Sequence, residues 1–345
     1  MSKVLMISLG SIGRRHLVNT RELLPDAEIA VYRTHFYTEN VLPEAADKLF
    51  FEISDALAFK PDAVIISSPA SEHVKHALEF INNGANVFIE KPLAMTHQEV
   101  DAVITASRDT DRFAMVGYVL RFQPILHFIR DLLHSGDLGE IRTANVQVGQ
   151  YLPDWRPESD YRKGVSAQKK LGGGALLELS HELDYSTWLF GMPDQVLCSS
   201  GKVSDLDIDV EDSACVIMEY GHTELARRVV VQVDFLQRVA NMAIQVVGSE
   251  ATLYADLVRE RAYIASPGQD EVQSLDVPKM AEGNEMYLRQ FDFFFARSFD
   301  DYQPRFDETR KFADYVSVEH AAGVLKLVDL AKESNSKGMR IRYQD

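Results

Sequence analysis

The chain has 345 residues, of which 46% are hydrophobic and 26% charged. This composition is typical of globular proteins and excludes collagen-like, disordered and disulfide-scaffold classes. The formal net charge of −16 disfavours binding to nucleic acid or to an anionic membrane surface. Cys198 and Cys215 lack the spacing of a zinc site, so we predict reduced thiols and no metal. The first apolar run ends at Gly10, too early for a secretory or membrane-spanning segment, and we expect a cytoplasmic protein.

Residues 1–121 alternate short apolar runs with helical patterns, which is typical of βαβ units and a parallel sheet. The predicted strands are Lys3–Ser8, Glu28–Tyr32, Leu49–Phe51, Ala63–Ser67, Asn86–Ile89 and Phe113–Val119. The length of the chain predicts about two domains. We place the end of the first at Arg121, where the alternating pattern stops. We therefore predict an α/β fold that begins with a Rossmann doubly wound parallel sheet.

The rhythm changes in residues 122–345. A helix is predicted at Pro124–His134, a polar loop at Pro153–Leu171, and one helix from the glycines at 172–174 to Phe190. Alternating strands then dominate, at Ala214–Tyr220, Arg228–Phe235, Met242–Val247 and Thr252–Ala255. This pattern predicts a C-terminal α+β domain with a large, mostly antiparallel open sheet.

The first predicted strand runs into a glycine-rich turn and then a helix. The turn follows the G-x-G-x-x-G pattern with serine in first position, through Ser8, Gly10, Ser11, Ile12 and Gly13. Gly10 lets the backbone approach a pyrophosphate, Gly13 lets the helix pack on the strand, and the helix N-terminus offers unpaired N–H groups. We predict that these five residues bind a dinucleotide. A strand-to-helix turn without a ligand is the alternative.

The end of the second predicted strand bears on the choice of cofactor. An acidic residue there binds the ribose 2′-hydroxyl of NAD, but the sequence has Arg33 and Thr34. Arg33 can pair with a 2′-phosphate and Thr34 can donate to it. NADP(H) is therefore favoured, with NAD(H) possible. The alternative is that Arg33 is a solvated loop residue.

Lys91 ends the fifth predicted strand, between Glu90 and Pro92. Open parallel sheets bind ligands at the carboxyl ends of their strands. A lysine there can donate to a substrate oxygen and stabilise the alkoxide that develops during hydride transfer. An exposed lysine without a catalytic role is the alternative.

Glu178, His181 and Asp184 are spaced three residues apart on the apolar helix predicted after the glycines, so they share one stripe. Histidine titrates near neutrality and can accept a hydroxyl proton, while a nearby carboxylate orients its ring. A buried polar cluster without catalytic function is the alternative.

These motifs, in this order, resemble the Gfo/Idh/MocA family over nearly the whole chain. Further matches are Pro61–Pro69 with His73, Gly117–Pro124, the glycines before His181 and Asp184, and Val247–Ala251. The resemblance implies a catalytic Lys91 positioned with the nicotinamide by Glu90 and Pro92, a cofactor site that includes Ser68, Pro69 and His73, and a homodimer or homotetramer formed through the open sheet. The family's usual aspartate stands four residues before the histidine, whereas this chain has Leu177 there and Glu178 one position nearer.

Two segments are expected to flank the nicotinamide, namely residues 118–124 and the loop of residues 155–170. Aromatic rings stack on sugars, and guanidinium groups bind carboxylate or phosphate. The candidate substrate contacts are Tyr118, Arg121, Trp155, Arg156, Tyr161 and Arg162. We expect an anionic sugar as the small-molecule substrate. The alternative is that Arg156 and Arg162 form structural pairs with neighbouring acids.

The sequence thus predicts an NAD(P)-dependent dehydrogenase or reductase that acts on a CH–OH donor of a sugar, sugar acid or nucleotide sugar. Two alternatives stay open. One is a reductase of a non-sugar carbonyl or imine, and the other is a non-catalytic sensor that binds NADP.

Overall fold

The computed structural model describes residues 2–33, 41–221, 227–268, 271–281, 283–306 and 315–343. Two compact units divide the chain, one of residues 1–122 and 281–322, the other of residues 123–280 and 323–345. The first division lies one residue beyond the predicted boundary. The return of residues 281–322 to the first unit differs from the single boundary that the sequence predicted.

The described residues form these helices: α1 (Ser11–Leu23), α2 (Ile53–Ala58), α3 (Ala70–Ile81), α4 (Asp101–Thr110), α5 (Pro124–Ser135), α6 (Ala175–Glu178), α7 (His181–Phe190), α8 (Glu285–Ser298) and α9 (Val318–Lys337). None of these described helices is long and apolar enough to cross a membrane.

The first unit holds a six-stranded sheet in the order β3-β2-β1-β4-β5-β6. Its strands are β1 (Lys3–Ile7), β2 (Glu28–Tyr32), β3 (Lys48–Phe50), β4 (Ala63–Ile66), β5 (Asn86–Ile89) and β6 (Ala114–Val116). All pairings are parallel, and the order is that of doubly wound dinucleotide-binding sheets. The predicted Rossmann sheet is confirmed. The last strand is shorter than predicted because the chain turns at Gly117 into a 3₁₀ helix at Val119–Phe122.

The second unit holds a nine-stranded sheet in the order β14-β13-β12-β11-β7-β10-β9-β8-β15. Its strands are β7 (Ile141–Gly149), β8 (Gln195–Gly201), β9 (Ser213–Tyr220), β10 (Arg227–Asp234), β11 (Asn241–Gly248), β12 (Thr252–Asp256), β13 (Arg261–Ala265), β14 (Gln273–Leu275) and β15 (Ile341–Arg342). Only the β7–β10 pairing is parallel among these described strands. The predicted mostly antiparallel sheet is therefore confirmed.

Helix α8 explains why residues after 280 rejoin the first unit. Phe291, Phe294 and Phe295 are fully buried, at the i, i+3, i+4 spacing of one helix face. Phe88 of β5 lies 4.8 Å from the ring centre of Phe291 and 5.8 Å from that of Phe294. This aromatic face completes the core beside the parallel sheet.

The single helix predicted up to Phe190 is two helices in the structure. Helix α6 ends at Glu178, the N–H of Ser180 bonds to the carbonyl of Leu177 in a tightened turn, and α7 begins at His181. The predicted stripe of Glu178, His181 and Asp184 therefore does not lie along one continuous helix.

Candidate active site

The turn between β1 and α1 keeps the shape of a phosphate loop although it begins with serine. Ser8 has φ +68°, a left-handed conformation that costs a non-glycine residue about 1 kcal/mol. Its N–H donates to the carbonyl of Tyr32 at 2.9 Å, and the Ser67 hydroxyl lies 3.0 Å from its carbonyl oxygen. These contacts hold Ser8 in the conformation that glycine would adopt freely.

The two glycines of the turn differ in what surrounds them. A Cβ at Gly10 would meet no atom within 4 Å, whereas one at Gly13 would lie 2.6 Å from both the Ser67 Oγ and the Ser8 carbonyl oxygen. Gly13 thus allows the close packing of α1, and Gly10 leaves room for a ligand.

The N-terminus of α1 is suited to an anion. Gly10 is the N-cap residue and supplies no side-chain cap, and the first turn holds no acidic residue. Ser11 is exposed and Ile12 half-buried. Unpaired N–H groups and the helix dipole at such an end bind phosphate, so these residues fit the pyrophosphate of a dinucleotide.

Arg33 follows β2 and has a half-buried side chain. Its backbone N–H donates to the carbonyl of Phe50 at 3.0 Å, while its buried Nε has no hydrogen-bond partner within the described residues. A guanidinium with an unsatisfied donor fits an incoming phosphate. Thr34 lies outside the described residues.

Glu90 links Lys91 to the phosphate-loop helix. Its Oε1 lies 2.5 Å from the His16 Nε2 on α1, and its Oε2 accepts the backbone N–H of Lys91 at 3.2 Å. His16 is fully buried. The turn that carries Lys91 is therefore tied through one carboxylate to α1.

His73 joins the ends of β4 and β5. Its Nδ1 lies 2.8 Å from the carbonyl oxygen of Pro92 and its Nε2 lies 2.7 Å from that of Ser68. Burial lowers the pKa of His73, against these two contacts, which favour the protonated ring. Pro69 is the N-cap residue of α3. These residues, predicted at the cofactor site, hold the two strand ends in place.

His181 begins α7 in the second unit and is partly exposed. Its Nε2 lies 2.8 Å from the Oε2 of Glu182, whose side chain is fully buried. The carboxylate of Glu178 instead accepts a hydrogen bond from the Ser166 hydroxyl at 2.7 Å, and Asp184 is buried within α7. The Nε2 of His181 is therefore close to Glu182, although the Glu182 Oε2 has no hydrogen-bond partner within the described residues.

Glu182 is the residue that the spacing argument missed. The break between α6 and α7 removes the i, i+3 relation between Glu178 and His181 on which the prediction relied. The available signal was an acidic residue directly after the histidine in an otherwise apolar segment.

Two predicted substrate contacts in the first unit are buried. Tyr118 has no exposed surface, so its ring is a core side chain in this conformation rather than an open stacking surface. Arg121 is 3% exposed and donates from Nη2 to the Nε2 of His320 at 2.6 Å. The guanidinium is thus held within the unit.

The loop predicted to bind substrate is partly engaged with its own neighbours. Trp155 donates to the carbonyl of Gln150 at 3.1 Å, and Tyr161 accepts the N–H of Asp207 at 3.2 Å. Arg162 makes two hydrogen bonds to Asp160, at 2.8 and 3.0 Å. Arg162 thus forms the structural pair that was the alternative reading.

Arg156 is exposed, as Arg162 is. Asp160 is the acid that the loop uses for pairing, and the hydrogen bond from Arg162 lowers the pKa of Asp160. Within the part of the chain that the structure describes, no group of three or more His, Cys, Asp or Glu side chains is placed to hold a metal ion.

Comparison with known proteins supports the two-part reading of the chain. Residues 2–118 match the oxidoreductase family with an NAD-binding Rossmann fold, and residues 126–254 match the GFO/IDH/MocA C-terminal domain. The myo-inositol 2-dehydrogenase of Thermotoga maritima is 26% identical over 283 residues, 77% of this chain and 78% of that protein. The trans-1,2-dihydrobenzene-1,2-diol dehydrogenase of Danio rerio is 30% identical over 197 residues, 56% of this chain and 54% of that protein.

A similar fold is found in solved structures. The WlbA dehydrogenase from Bordetella pertussis, solved in complex with NADH and UDP-GlcNAcA, has a TM-score of 0.75 and 19% identity, with 99% of both chains covered. The chain spans about half the length of many of the curated relatives it matches. The two family matches nevertheless cover both units along most of the sequence, and the chain belongs to the GFO/IDH/MocA family of oxidoreductases with an NAD-binding Rossmann fold.

Proposed function

We propose that this protein is an NAD(P)-dependent oxidoreductase that transfers a hydride between nicotinamide and a hydroxyl or carbonyl group of a sugar, sugar acid or nucleotide sugar. The observation that carries the proposal is the uncapped N-terminus of α1 beside the open space at Gly10. This end of the helix fits a dinucleotide pyrophosphate. The bound nicotinamide would supply or accept the hydride.

The chain's own residues would handle the substrate oxygen and its proton. Lys91, at the carboxyl end of β5, would donate to the reacting oxygen and stabilise negative charge on it. His181 would accept the hydroxyl proton during oxidation and return it during reduction. These two roles follow from the family to which the chain belongs and from the residue types at these positions.

NADP(H) is proposed as the preferred cofactor, with NAD(H) also used. The support is Arg33, whose buried Nε has no partner among the residues that the structure describes and which stands where an acid would select NAD. An Arg33→Glu variant should lose affinity for NADPH and gain relative affinity for NADH, measured by fluorescence titration. Unchanged relative affinities would show that Arg33 does not select the cofactor.

An anionic sugar is proposed as the substrate. The exposed guanidinium of Arg156 supports an anion, as does the fold's similarity to a protein solved with UDP-GlcNAcA. Arg156→Ala should raise KM for the true substrate with little change in kcat. Arg162→Ala is the control variant. Because Arg162 is hydrogen-bonded to Asp160, its loss should affect the stability of the loop before it affects KM.

A non-sugar diol or carbonyl is the second candidate. It is favoured by the 30% identity to a relative named trans-1,2-dihydrobenzene-1,2-diol dehydrogenase. A substrate panel that includes both sugars and cyclic diols separates the two candidates, because only one class should give saturable turnover at low concentration.

A cytoplasmic location and a homodimer or homotetramer stay predictions of the sequence. Light scattering coupled to size-exclusion chromatography tests the assembly, and a monomer at micromolar concentration would contradict it.

The decisive experiment follows the absorbance of the nicotinamide over a panel of sugars, sugar acids and nucleotide sugars. We expect turnover with the unaltered protein, and its loss in Lys91→Ala and His181→Ala with cofactor binding kept. Lys75→Ala is the matched control, since Lys75 is an exposed lysine of the same unit. Tight cofactor binding without turnover on any candidate would instead support a non-catalytic sensor.

A further inference from the structure

Arg15 lies on α1 one turn after Ser11, with its guanidinium against an aromatic ring. The Arg15 Cζ is 4.7 Å from the ring centre of Tyr287, which belongs to the first turn of α8. The Arg15 side chain is exposed, and within the described residues it forms no ion pair with an acidic side chain. Because Cα–Cβ bonds tilt toward the N-terminus of a helix, a long side chain one turn in can reach that end. Arg15 thus adds a positive charge beside the end of α1 that fits a phosphate.

Tyr287 holds this guanidinium from a fixed position, because α8 is docked on α1. The two helices share a reciprocal amide pair. Asn284 donates from Nδ2 to the Oδ1 of Asn19 at 2.9 Å, and Asn19 donates from Nδ2 to the Oδ1 of Asn284 at 3.4 Å. Asn284 directly precedes α8, and Asn19 is buried on α1. The ring of Tyr287 therefore begins a helix whose place beside α1 is set by both of these amides.

Tyr287 lies on the side of the parallel sheet to which Glu90 belongs. Its ring centre is 6.1 Å from that of His16, whose Nε2 is 2.5 Å from the Oε1 of Glu90. Burial raises the pKa of Tyr287, the charge of Arg15 opposes this shift, and the charge of Glu90 adds to it. Strand β5, which Glu90 follows, and strand β2, which Arg33 follows, lie on opposite sides of β1. Since the adenosine ribose of a dinucleotide lies at the end of β2, the opposite side suits the nicotinamide half.

We propose that Arg15 binds the diphosphate of the dinucleotide at the phosphate on the nicotinamide side, and that Tyr287 is the positioning residue that holds the guanidinium there. This inference rests on the proposed function. Arginine keeps its charge and presents several N–H donors in one plane, which suits two phosphate oxygens at once. A stacked ring restricts the guanidinium before the cofactor arrives, so less side-chain entropy is lost on binding. Arg15 would contact a group that NADH and NADPH share, whereas Arg33 would act at the 2′ position.

Calorimetric titration of the full chain with NADH and NADPH tests the inference without turnover. Arg15→Gln should lower the affinity for both nucleotides by about tenfold, the usual effect of losing one hydrogen bond to a charged group. Arg14→Gln is the matched control, because Arg14 is exposed and its side chain forms no ion pair or ring contact within the described ranges. It removes the same charge one residue earlier, and screening by salt should keep its effect below about twofold.

A nucleotide fragment locates the contact on the cofactor. Adenosine 2′,5′-bisphosphate carries the phosphate on the adenosine side and a 2′-phosphate, but it lacks the second phosphate of the diphosphate. We expect it to bind Arg15→Gln as well as it binds the unaltered protein. Arg33→Glu should show the opposite pattern, with weaker binding of this fragment.

Two substitutions at Tyr287 test its positioning role. Tyr287→Phe keeps a ring face under the guanidinium and should retain the affinity, whereas Tyr287→Leu removes the face and should lower it by about threefold. Because Tyr287 acts through Arg15, adding Tyr287→Leu to Arg15→Gln should cause no further loss. A purely structural role of the ring would give additive losses.

Three results would overturn the inference: equal affinities of Arg15→Gln and Arg14→Gln for NADPH, an equal loss of affinity for the fragment, or additive losses in the double variant. Should Tyr287→Leu fail to fold, the two arginine variants still decide, because both positions are exposed. Failure of the proposed function looks different, since the unaltered protein would then bind neither NADH nor NADPH.

Discussion

The Nε2 of His16 lies 2.5 Å from the Oε1 of Glu90, with both side chains buried or nearly so. His16 belongs to the helix that follows the phosphate loop, and Glu90 directly precedes Lys91. The contact therefore connects the two segments of the first unit that carry the proposed cofactor loop and the proposed catalytic lysine. The Nδ1 of His16 is buried without a partner in the described residues.

Replacing His16 with phenylalanine should leave the Glu90 carboxylate without this donor. Loss of one partner of a buried polar pair costs about 1–3 kcal/mol, so the free energy of unfolding measured in urea should fall by that amount. His16→Gln, which retains an N–H donor at similar reach, should restore part of the loss. Equal losses in the two variants would show that ring packing against Phe88 and Phe291, and not the hydrogen bond, is responsible.

Gly10→Ala should weaken cofactor binding without destabilising the free protein. The added Cβ meets no atom within 4 Å and the φ of −68° suits alanine, so stability should be unchanged or about 0.4–1 kcal/mol higher. The methyl group would occupy the space that a pyrophosphate needs. Calorimetric titration with NADPH checks the affinity, and wild-type affinity would contradict the assignment of this turn as the phosphate loop.

Gly13→Ala provides the contrast. Its Cβ would lie 2.6 Å from a backbone carbonyl oxygen, so both stability and cofactor affinity should fall. Thermal denaturation of the two free variants separates the effects, since only Gly13→Ala should lower Tm.

Phe291→Ala should destabilise the first unit by about 3–5 kcal/mol, the usual cost of removing a buried aromatic ring. Val18→Ala on α1 is the control, because Val18 is 58% exposed and should change stability by less than about 0.5 kcal/mol. Urea denaturation followed by fluorescence measures both. A small effect at Phe291 would mean that α8 is not part of this core.

The two cysteines should react slowly with thiol reagents in the native protein. Burial raises the pKa of Cys198 to about 11 and raises the pKa of Cys215. Because the thiolate is the nucleophile, alkylation of Cys198 at pH 8 should be slow and should rise about tenfold per pH unit toward that value. The same protein unfolded in urea is the control. Rapid native labelling of Cys198 at pH 8 would contradict its environment.

Local sequence patterns predict the strands of the parallel sheet well. The runs at Glu28–Tyr32 and Asn86–Ile89 are strands with the predicted bounds, because continuous apolar β-branched runs between turn signals have few alternatives. The strand-to-helix turn after β1 also lies where the sequence predicts it, with Ser8 in a left-handed conformation and its carbonyl oxygen accepting from the Ser67 hydroxyl.

Long-range partners were not predictable in the same way. The aromatic face of α8 packs against Phe88, about 200 residues earlier in the chain, and no local pattern shows that pairing. The helix break that separates Glu178 from His181 was likewise not indicated by propensity. Arg162 is a substrate-contact candidate in the sequence because the pattern does not show its two hydrogen bonds to the Asp160 carboxylate.

The most direct test of the central claim is transfer of label from the cofactor to the substrate. The protein would be incubated with NADPH deuterated at C4 of the nicotinamide and the oxidised form of a panel sugar, and the product analysed by mass spectrometry. Our account predicts one deuterium on the product carbon, and none with Lys91→Ala. Unlabelled product, or NADPH that binds and is never oxidised by any candidate, would contradict it.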